Sequence, residues 1–177
     1  PTHWSSPYVA SLVEKGIFKG YEDNTFGPDK SITREEIAVA LVRVLGFEDR
    51  SGNNFELHFS DDSNISEWAK KAVYMLAQLG IFTGYTDGDF QPKGLITRQE
   101  LAVVIARALN AVVPVLDFSF SDSGDIEGWA KEGIKKAYSY GIIKGYEDNT
   151  FKPTNYISRS EAATMLYNFM FIEGLLN

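Results

Sequence analysis

An arginine recurs three times along the chain in a setting that favours anion binding. Arg34, Arg98 and Arg159 each follow an Ile-Thr or Ile-Ser pair and precede a glutamate by two residues. We expect each at the first position of a helix, where the helix dipole disfavours a cation by up to about 1 kcal/mol. A guanidinium beside free helix-end amides suits a carboxylate or a phosphate. The alternative is a bond to carbonyls of its own loop or to a nearby carboxylate. The candidate acidic partners are Asp23, Asp87 and Asp148.

The residues on either side of each arginine predict how that helix starts. A Thr or Ser three positions before a Glu is the signature of a capping box, in which the hydroxyl and the carboxylate each accept a bond from a backbone amide at the helix end. An apolar helical pattern follows at once in each copy, which supports this structural role. The predicted capping pairs are Thr33 with Glu36, Thr97 with Glu100, and Ser158 with Glu161.

The same pattern extends over most of the chain as three repeats, at residues 1–46, 59–110 and 120–171 of one module that spans 1–177. Each repeat reads as a helix, a loop rich in turn residues, and a second helix. A glycine stands where the first helix should end in a left-handed cap. These glycines are Gly16, Gly80 and Gly141.

The predicted fold is therefore all-α, with three helix-loop-helix repeats. One helix pair cannot bury its apolar face alone, so the repeats must pack on one another. The simplest closed arrangement is a pseudo-threefold bundle with outward loops and grooves between neighbouring repeats. An open solenoid is the alternative, although neither terminal repeat is polar enough to cap one.

Lysines and tryptophans add candidates for a binding site. Lys19 and Lys144 occupy one position of the first and third loops, where they could support an anion or simply be solvated, and Thr83 replaces them in the second loop. A tryptophan in each repeat could stack on a sugar ring, but its expected place on the first helix favours burial between helices. These tryptophans are Trp4, Trp68 and Trp129. We expect the loop aromatics, such as Tyr21 and Phe26, to form the small core of each loop.

Other chemistries are weaker candidates. Asp23, Asn24 and Thr25 hint at a calcium loop, but the remaining EF-hand ligands are absent and turn stabilisation explains them better. A glycosidase could use paired acids such as Glu36 and Asp23, yet acids that recur in all three repeats are explained by caps and turns. His3 and His58 lie outside the repeat pattern. No metal, cofactor or catalytic residue is predicted.

The composition limits the partners. The 177 residues carry a formal net charge of −7 and no cysteine. That charge opposes binding to nucleic acid, and no apolar run is long enough to insert into a membrane. Phe-Ser-Asp precedes the second and third repeats, whereas the first begins at Pro1. We therefore expect the chain to be part of a larger protein.

Two segments resemble the motifs of the S-layer homology domain family. Residues 20–28 resemble its Gly-Tyr-x-Asp-Gly-Thr-Phe-x-Pro loop, and residues 32–36 resemble its Ile-Thr-Arg-Ala-Glu motif. The resemblance covers nearly the whole chain. It implies a three-pronged, non-catalytic module that binds secondary cell wall polysaccharide, commonly with pyruvate ketals on N-acetylmannosamine, in grooves between repeats. It also implies a place outside the cell, in the wall or S-layer of a bacterium of the Gram-positive type, within a larger surface protein.

The resemblance further implies that Arg34, Arg98 and Arg159 help to bind the acid group of the glycan. The chain departs from the family motif where Glu35 and Gln99 replace a small residue. A carboxylate at Glu35 should weaken the attraction of Arg34 for an anion, so the other two arginine sites are expected to bind better. The alternative function is a protein–protein assembly module of a surface lattice or scaffold.

Overall fold

A computed structural model of the chain describes residues 3–21, 23, 25–48, 58–110 and 116–176. Pro1, Asn24 and most of the segments that connect the predicted repeats, 47–58 and 111–119, lie outside these ranges. The regular structure of the described residues is helical, and their β-type pairing is limited to isolated bridges. The α-helices are α1 (Ser6–Glu14), α2 (Arg34–Val44), α3 (Glu67–Gln78), α4 (Arg98–Ala108), α5 (Lys131–Ser139) and α6 (Arg159–Ile172). None of these helices has the length and apolarity needed to cross a membrane.

The second helix of every repeat starts with a complete capping box. At α2, the Thr33 hydroxyl accepts from the Glu36 amide, and the Glu36 carboxylate accepts from the Thr33 amide at 2.8 Å. The same reciprocal pair starts α4 and α6. The first helices end at the predicted glycines, all with positive φ, a conformation in which a side chain would be strained.

Helices pack between repeats rather than within them. The helix pairs with extensive contact are α2 with α3, α4 with α5, and α6 with α1. The first helix of each repeat thus lies on the second helix of the repeat before it, and α1 lies on α6. This closed ring excludes an open solenoid and is the connectivity that a pseudo-threefold bundle requires. The symmetry itself stays a prediction.

A triangle of backbone hydrogen bonds lies where the three second helices begin. Ile96 donates its amide to the carbonyl of Ile32 at 3.1 Å, Ile157 donates to Ile96 at 3.0 Å, and Ile32 donates to Ile157 at 3.3 Å. All three isoleucines are fully buried. Because each amide finds its acceptor in another repeat, no repeat can complete this centre alone.

The aspartates of the Phe-Ser-Asp segments bind the outer loops of repeats 2 and 3 through hydrogen bonds. Asp61 accepts the backbone amides of Phe90 and Gln91, each at 2.8 Å. Asp122 accepts those of Phe151 and Lys152 in the same way. Gln91 and Lys152 both have a φ of 55°, which is costly for a residue with a side chain. The paired amide bonds offset that cost.

We expect Asp61→Ala to lower the free energy of unfolding by about 2 kcal/mol, because two amides at a strained backbone lose a charged acceptor. Urea denaturation measures the change. Asp87→Ala is the matched control, since Asp87 is an exposed aspartate of the loop that Asp61 holds in place and accepts only one local amide. Equal destabilisation by both substitutions would contradict the role of Asp61.

Candidate functional site

Three open grooves lie at the surface, and each is built from all three repeats. Their volumes are about 340, 660 and 870 Å³, within the range of small-ligand sites. The loop and second helix of one repeat form the floor, the previous repeat contributes its motif arginine, and the next repeat contributes its tryptophan. The first groove contains Lys19, Tyr21, Glu36, Arg43, Trp68 and Arg159. The second groove contains Arg34, Thr83, Tyr85, Glu100, Arg107 and Trp129. The third groove contains Trp4, Arg98, Lys144, Tyr146, Glu161 and Asn168.

The motif arginines are buried and committed to bonds between repeats. Arg159 donates from Nε to the Phe26 carbonyl at 2.9 Å, from Nη2 to the Lys19 carbonyl at 2.9 Å, and from Nη1 to Glu36 at 3.0 Å. Arg34 makes the equivalent bonds to repeat 2, and Arg98 makes them to repeat 3. Their relative exposure is 3, 6 and 3% for Arg34, Arg98 and Arg159. Each guanidinium is therefore neutralised by the capping glutamate of the neighbouring repeat.

The partners of the arginines differ from those suggested by the sequence. The carbonyls belong to the loop of another repeat, not to the arginine's own loop, and the carboxylates are capping glutamates rather than Asp23, Asp87 or Asp148. Asp23 and Asp148 instead accept bonds from Thr25 and Thr150 within their own turns. This agrees with the expected turn role of those aspartates.

The expectation that the helix-end amides are free to bind an anion is wrong. At α2, the amide of Arg34 donates to the Gly94 carbonyl at 2.9 Å, and that of Glu35 donates to Pro92 at 3.1 Å. The third amide bonds to the capping hydroxyl of Thr33. The corresponding amides of α4 and α6 have the same kinds of acceptor. Repeat association takes up the donors that an anion would have used.

Tyrosines of the loops belong to the grooves, which the sequence reading missed. The Arg34 guanidinium lies 4.3 Å from the centroid of the Tyr85 ring, and Arg98 lies 4.6 Å from that of Tyr146. Arg159 covers Tyr21 at 4.7 Å. These stacked contacts stabilise a buried cation. The Gly-Tyr pair that recurs in all three loops is the sequence signal that could have indicated this role.

Two of these tyrosines also bind the capping glutamates. The Tyr85 hydroxyl donates to Glu100, and that of Tyr146 donates to Glu161. Burial, together with the bond to Glu161, raises the pKa of Tyr146 to about 12. Burial opposes the ionised form of Glu161, but bonds from Tyr146 and Ser158 outweigh it and hold its pKa below the ordinary value. The phenol is a donor and the carboxylate an acceptor at neutral pH.

The tryptophans are exposed, so the expected burial between helices is wrong. Trp4, Trp68 and Trp129 have relative exposures of 57, 59 and 52%. Trp68 lies at the start of α3, whereas Trp4 precedes α1 and Trp129 lies in the short 3₁₀ turn before α5. Each ring lines a groove, and Trp129 also donates from Nε1 to Glu127 at 2.7 Å. The geometry suits an aromatic platform.

The loop lysines also line grooves, as they must if they support a bound anion. Lys19 lines the first groove and Lys144 the third, and both are exposed. Arg43 and Arg107, near the ends of α2 and α4, are further groove cations that the sequence reading missed. On a helical surface they looked like ordinary solvated residues.

Glu35 does not oppose Arg34 in the way that the sequence suggested. Its carboxylate accepts from the amide and the hydroxyl of Ser66 and pairs with Lys93. Ser66 is the N-cap of α3, so Glu35 joins the second helix of repeat 1 to the first helix of repeat 2. The physical reason for ranking the Arg34 site lowest is thus removed, and the ranking itself stays a prediction.

The repeats match the family model described as the S-layer homology domain, at residues 1–38, 58–102 and 119–163. The chain belongs to the S-layer homology domain family. Curated relatives include cell surface glycoprotein 1 of Acetivibrio thermocellus, which is 36% identical over 94% of this chain. The cellulosome-anchoring protein of the same organism is 36% identical over 93%, and an endoglucanase of a Bacillus strain is 32% identical over 93%. The matched region of this S-layer homology chain spans 8, 38 and 17% of those three relatives, respectively.

We expect Arg159→Ala to destabilise this S-layer homology module by about 3 kcal/mol, because it leaves two loop carbonyls and a half-buried carboxylate without their donor. Urea or thermal unfolding measures the loss. Lys19→Ala, in the same groove, should change the free energy of unfolding by less than about 0.5 kcal/mol. Unchanged stability of the arginine variant would show that its bonds do not hold repeats 3 and 1 together.

The lowered pKa of Glu161 gives its contribution a defined pH range. The carboxylate stabilises the fold above its unfolded pKa of about 4.5, and this contribution is lost as the pH falls through the lower folded value. Glu161→Gln should therefore differ most from the wild type in unfolding free energy above pH ~5, and less at pH 3. Urea denaturation across this range tests it. A difference that does not change with pH would contradict the assignment.

Proposed function

We propose that the chain is a non-catalytic cell-surface anchor that binds an anionic, pyruvylated polysaccharide of the bacterial cell wall in the grooves between its repeats. Its family includes a relative named for anchoring the cellulosome and others named as S-layer proteins. The observation that supports the proposal most is the composition of each groove, which is lined by an exposed tryptophan and by one or more cations. A pyranose presents an apolar face to such a ring, and its acid substituent is attracted to the charge.

The proposal assigns different tasks to the predicted site residues. Trp4, Trp68 and Trp129 stack on sugar rings, and Lys19 and Lys144 attract the acid. The motif arginines Arg34, Arg98 and Arg159 shape the groove walls. Each guanidinium is almost fully buried and paired with a capping glutamate, so its task is to hold the loop beneath the groove.

Anchoring follows from having three grooves on one rigid module. A repeating polymer that engages several grooves binds more tightly by as much as about 10² to 10⁴ than one groove alone, if the geometry allows simultaneous contact. Modest affinity for a single sugar is therefore compatible with retention at the wall, outside the cell and as part of a larger surface protein. An enzyme named among the relatives carries the matched region as a minor part of its length.

The acid group is tested with two glycans that differ only in the ketal. Isothermal titration calorimetry should show that a pyruvylated N-acetylmannosamine glycoside binds at least about tenfold more tightly than the unpyruvylated sugar, because a charge-assisted bond is lost in the latter. The preference should shrink with added salt. Equal affinities would remove the proposed role of the carboxylate.

The tryptophan platform is tested by Trp68→Ala. Loss of the stacked ring should weaken binding at the first groove by about two- to tenfold, with little change in unfolding temperature because Trp68 is exposed. Leu79→Ala is a matched control, since Leu79 is a large exposed apolar residue at the other end of the same helix region and lines none of the three grooves. A similar loss of binding in both variants would argue against a stacking role.

Binding to purified cell walls distinguishes the anchor function from the protein–protein assembly alternative. The module should sediment with purified wall sacculi and should remain in solution after the secondary polymer has been removed chemically. Retention on stripped sacculi would favour a protein or peptidoglycan partner instead, and release of sugar fragments during incubation would favour an enzyme.

A further inference from the structure

The second groove lacks the loop lysine of the other two, which raises the question of what carries its positive charge. Lys19 and Lys144 line the first and third grooves, and Thr83 stands at the same position of the second. The motif arginine does not fill the gap, because Arg34 is buried and paired with Glu100 at 3.1 Å. A free cation must come from another position.

That position lies near the C-terminal end of the second helix. The repeats place Arg43, Arg107 and Asn168 there in register, each lining its groove. Arg43 donates from Nη1 to the Ile17 carbonyl at 3.1 Å, and Asn168 donates to the matching carbonyl of Ile142, also at 3.1 Å. The third repeat therefore keeps the structural bond of this position without its charge.

Arg107 is oriented differently from its two counterparts. Its Nη1 donates to the hydroxyl of Thr83 at 3.3 Å, which is the residue that replaces the lysine. Arg107 is exposed, and its contact with Thr83 is a neutral bond at the surface. The guanidinium thus lies beside the residue that replaces Lys19 and Lys144, and within the described part of the chain no carboxylate pairs with it.

We propose that Arg107 is the residue of the second groove that binds the acid group of the ligand, in place of the loop lysine. Lys19 and Lys144 have this task in the first and third grooves, and the buried motif arginines are positioning residues that hold the loop beneath the ligand. The cation thus stands either at the loop position or at the helix position of a repeat, and each groove has at least one of the two. This inference rests on the proposed function, because it specifies which group meets the acid.

The three tryptophans make the test specific to each groove. One tryptophan lines each groove, so its indole N–H signal in a ¹H–¹⁵N correlation spectrum reports on that groove alone. The signals are assigned with single Trp→Phe variants. Titration with a pyruvylated N-acetylmannosamine glycoside then gives one dissociation constant per signal, and the spectrum itself shows whether each variant is folded.

Arg107→Gln should weaken binding at the Trp129 signal by about tenfold or more while the Trp4 and Trp68 signals titrate as in the wild type. Lys144→Gln should act in the same way on Trp4 alone. The double variant Arg107→Gln/Thr83→Lys should recover binding at Trp129, because it restores the lysine of the other loops. Lys131→Gln, which removes an exposed cation outside the three grooves, is the control for net charge.

Unchanged titration of Trp129 in Arg107→Gln, or failure of Thr83→Lys to restore it, would overturn the inference and leave the anchor function standing. A wild-type protein whose indole signals do not distinguish the pyruvylated from the unpyruvylated glycoside would instead reject the proposed function. The two failures are therefore read from different samples.

Discussion

The buried arginine at the start of each second helix is the interaction on which the rest of the structure depends. It crosses from one repeat to the next, where it meets two loop carbonyls, a capping glutamate and the face of a tyrosine. Burying a guanidinium is costly unless its partners compensate, and here nearly every partner belongs to the neighbouring repeat. The charge can consequently be buried only when the repeats associate.

The same constraint explains why the loop, the cap and the groove share residues. Glu36 caps its own helix, neutralises Arg159 and lines the first groove. The carbonyl of Lys19 accepts from Arg159 while the exposed lysine side chain remains at the groove. A change in a buried partner therefore alters stability and groove shape together, whereas a change in an exposed cation alters the groove alone. This division separates the residues that build the site from those that contact a ligand.

Local features of the fold could be predicted from the sequence, because they depend on residues close together in the chain. The capping box needs residues three apart, and the left-handed cap needs a single glycine such as Gly80. The partners of the arginines could not be predicted, since Arg159 and Phe26 are separated by 133 positions. The expected place of Trp68 on the first helix favoured burial, but the ring lies at the start of α3 and is exposed, whereas its neighbour Ala69 is buried. Arg107 went unnoticed because a helical surface arginine has no local signature.

The closed ring has a consequence for the loss or gain of repeats. Since a floor, an arginine and a tryptophan from three different repeats meet in every groove, deleting one repeat would not leave two sites out of three. It would break every groove at once and expose the helix faces that the missing repeat covered. Evolution can therefore vary the individual side chains of a copy, as at Thr83 and Asn168, far more easily than it can vary the number of copies.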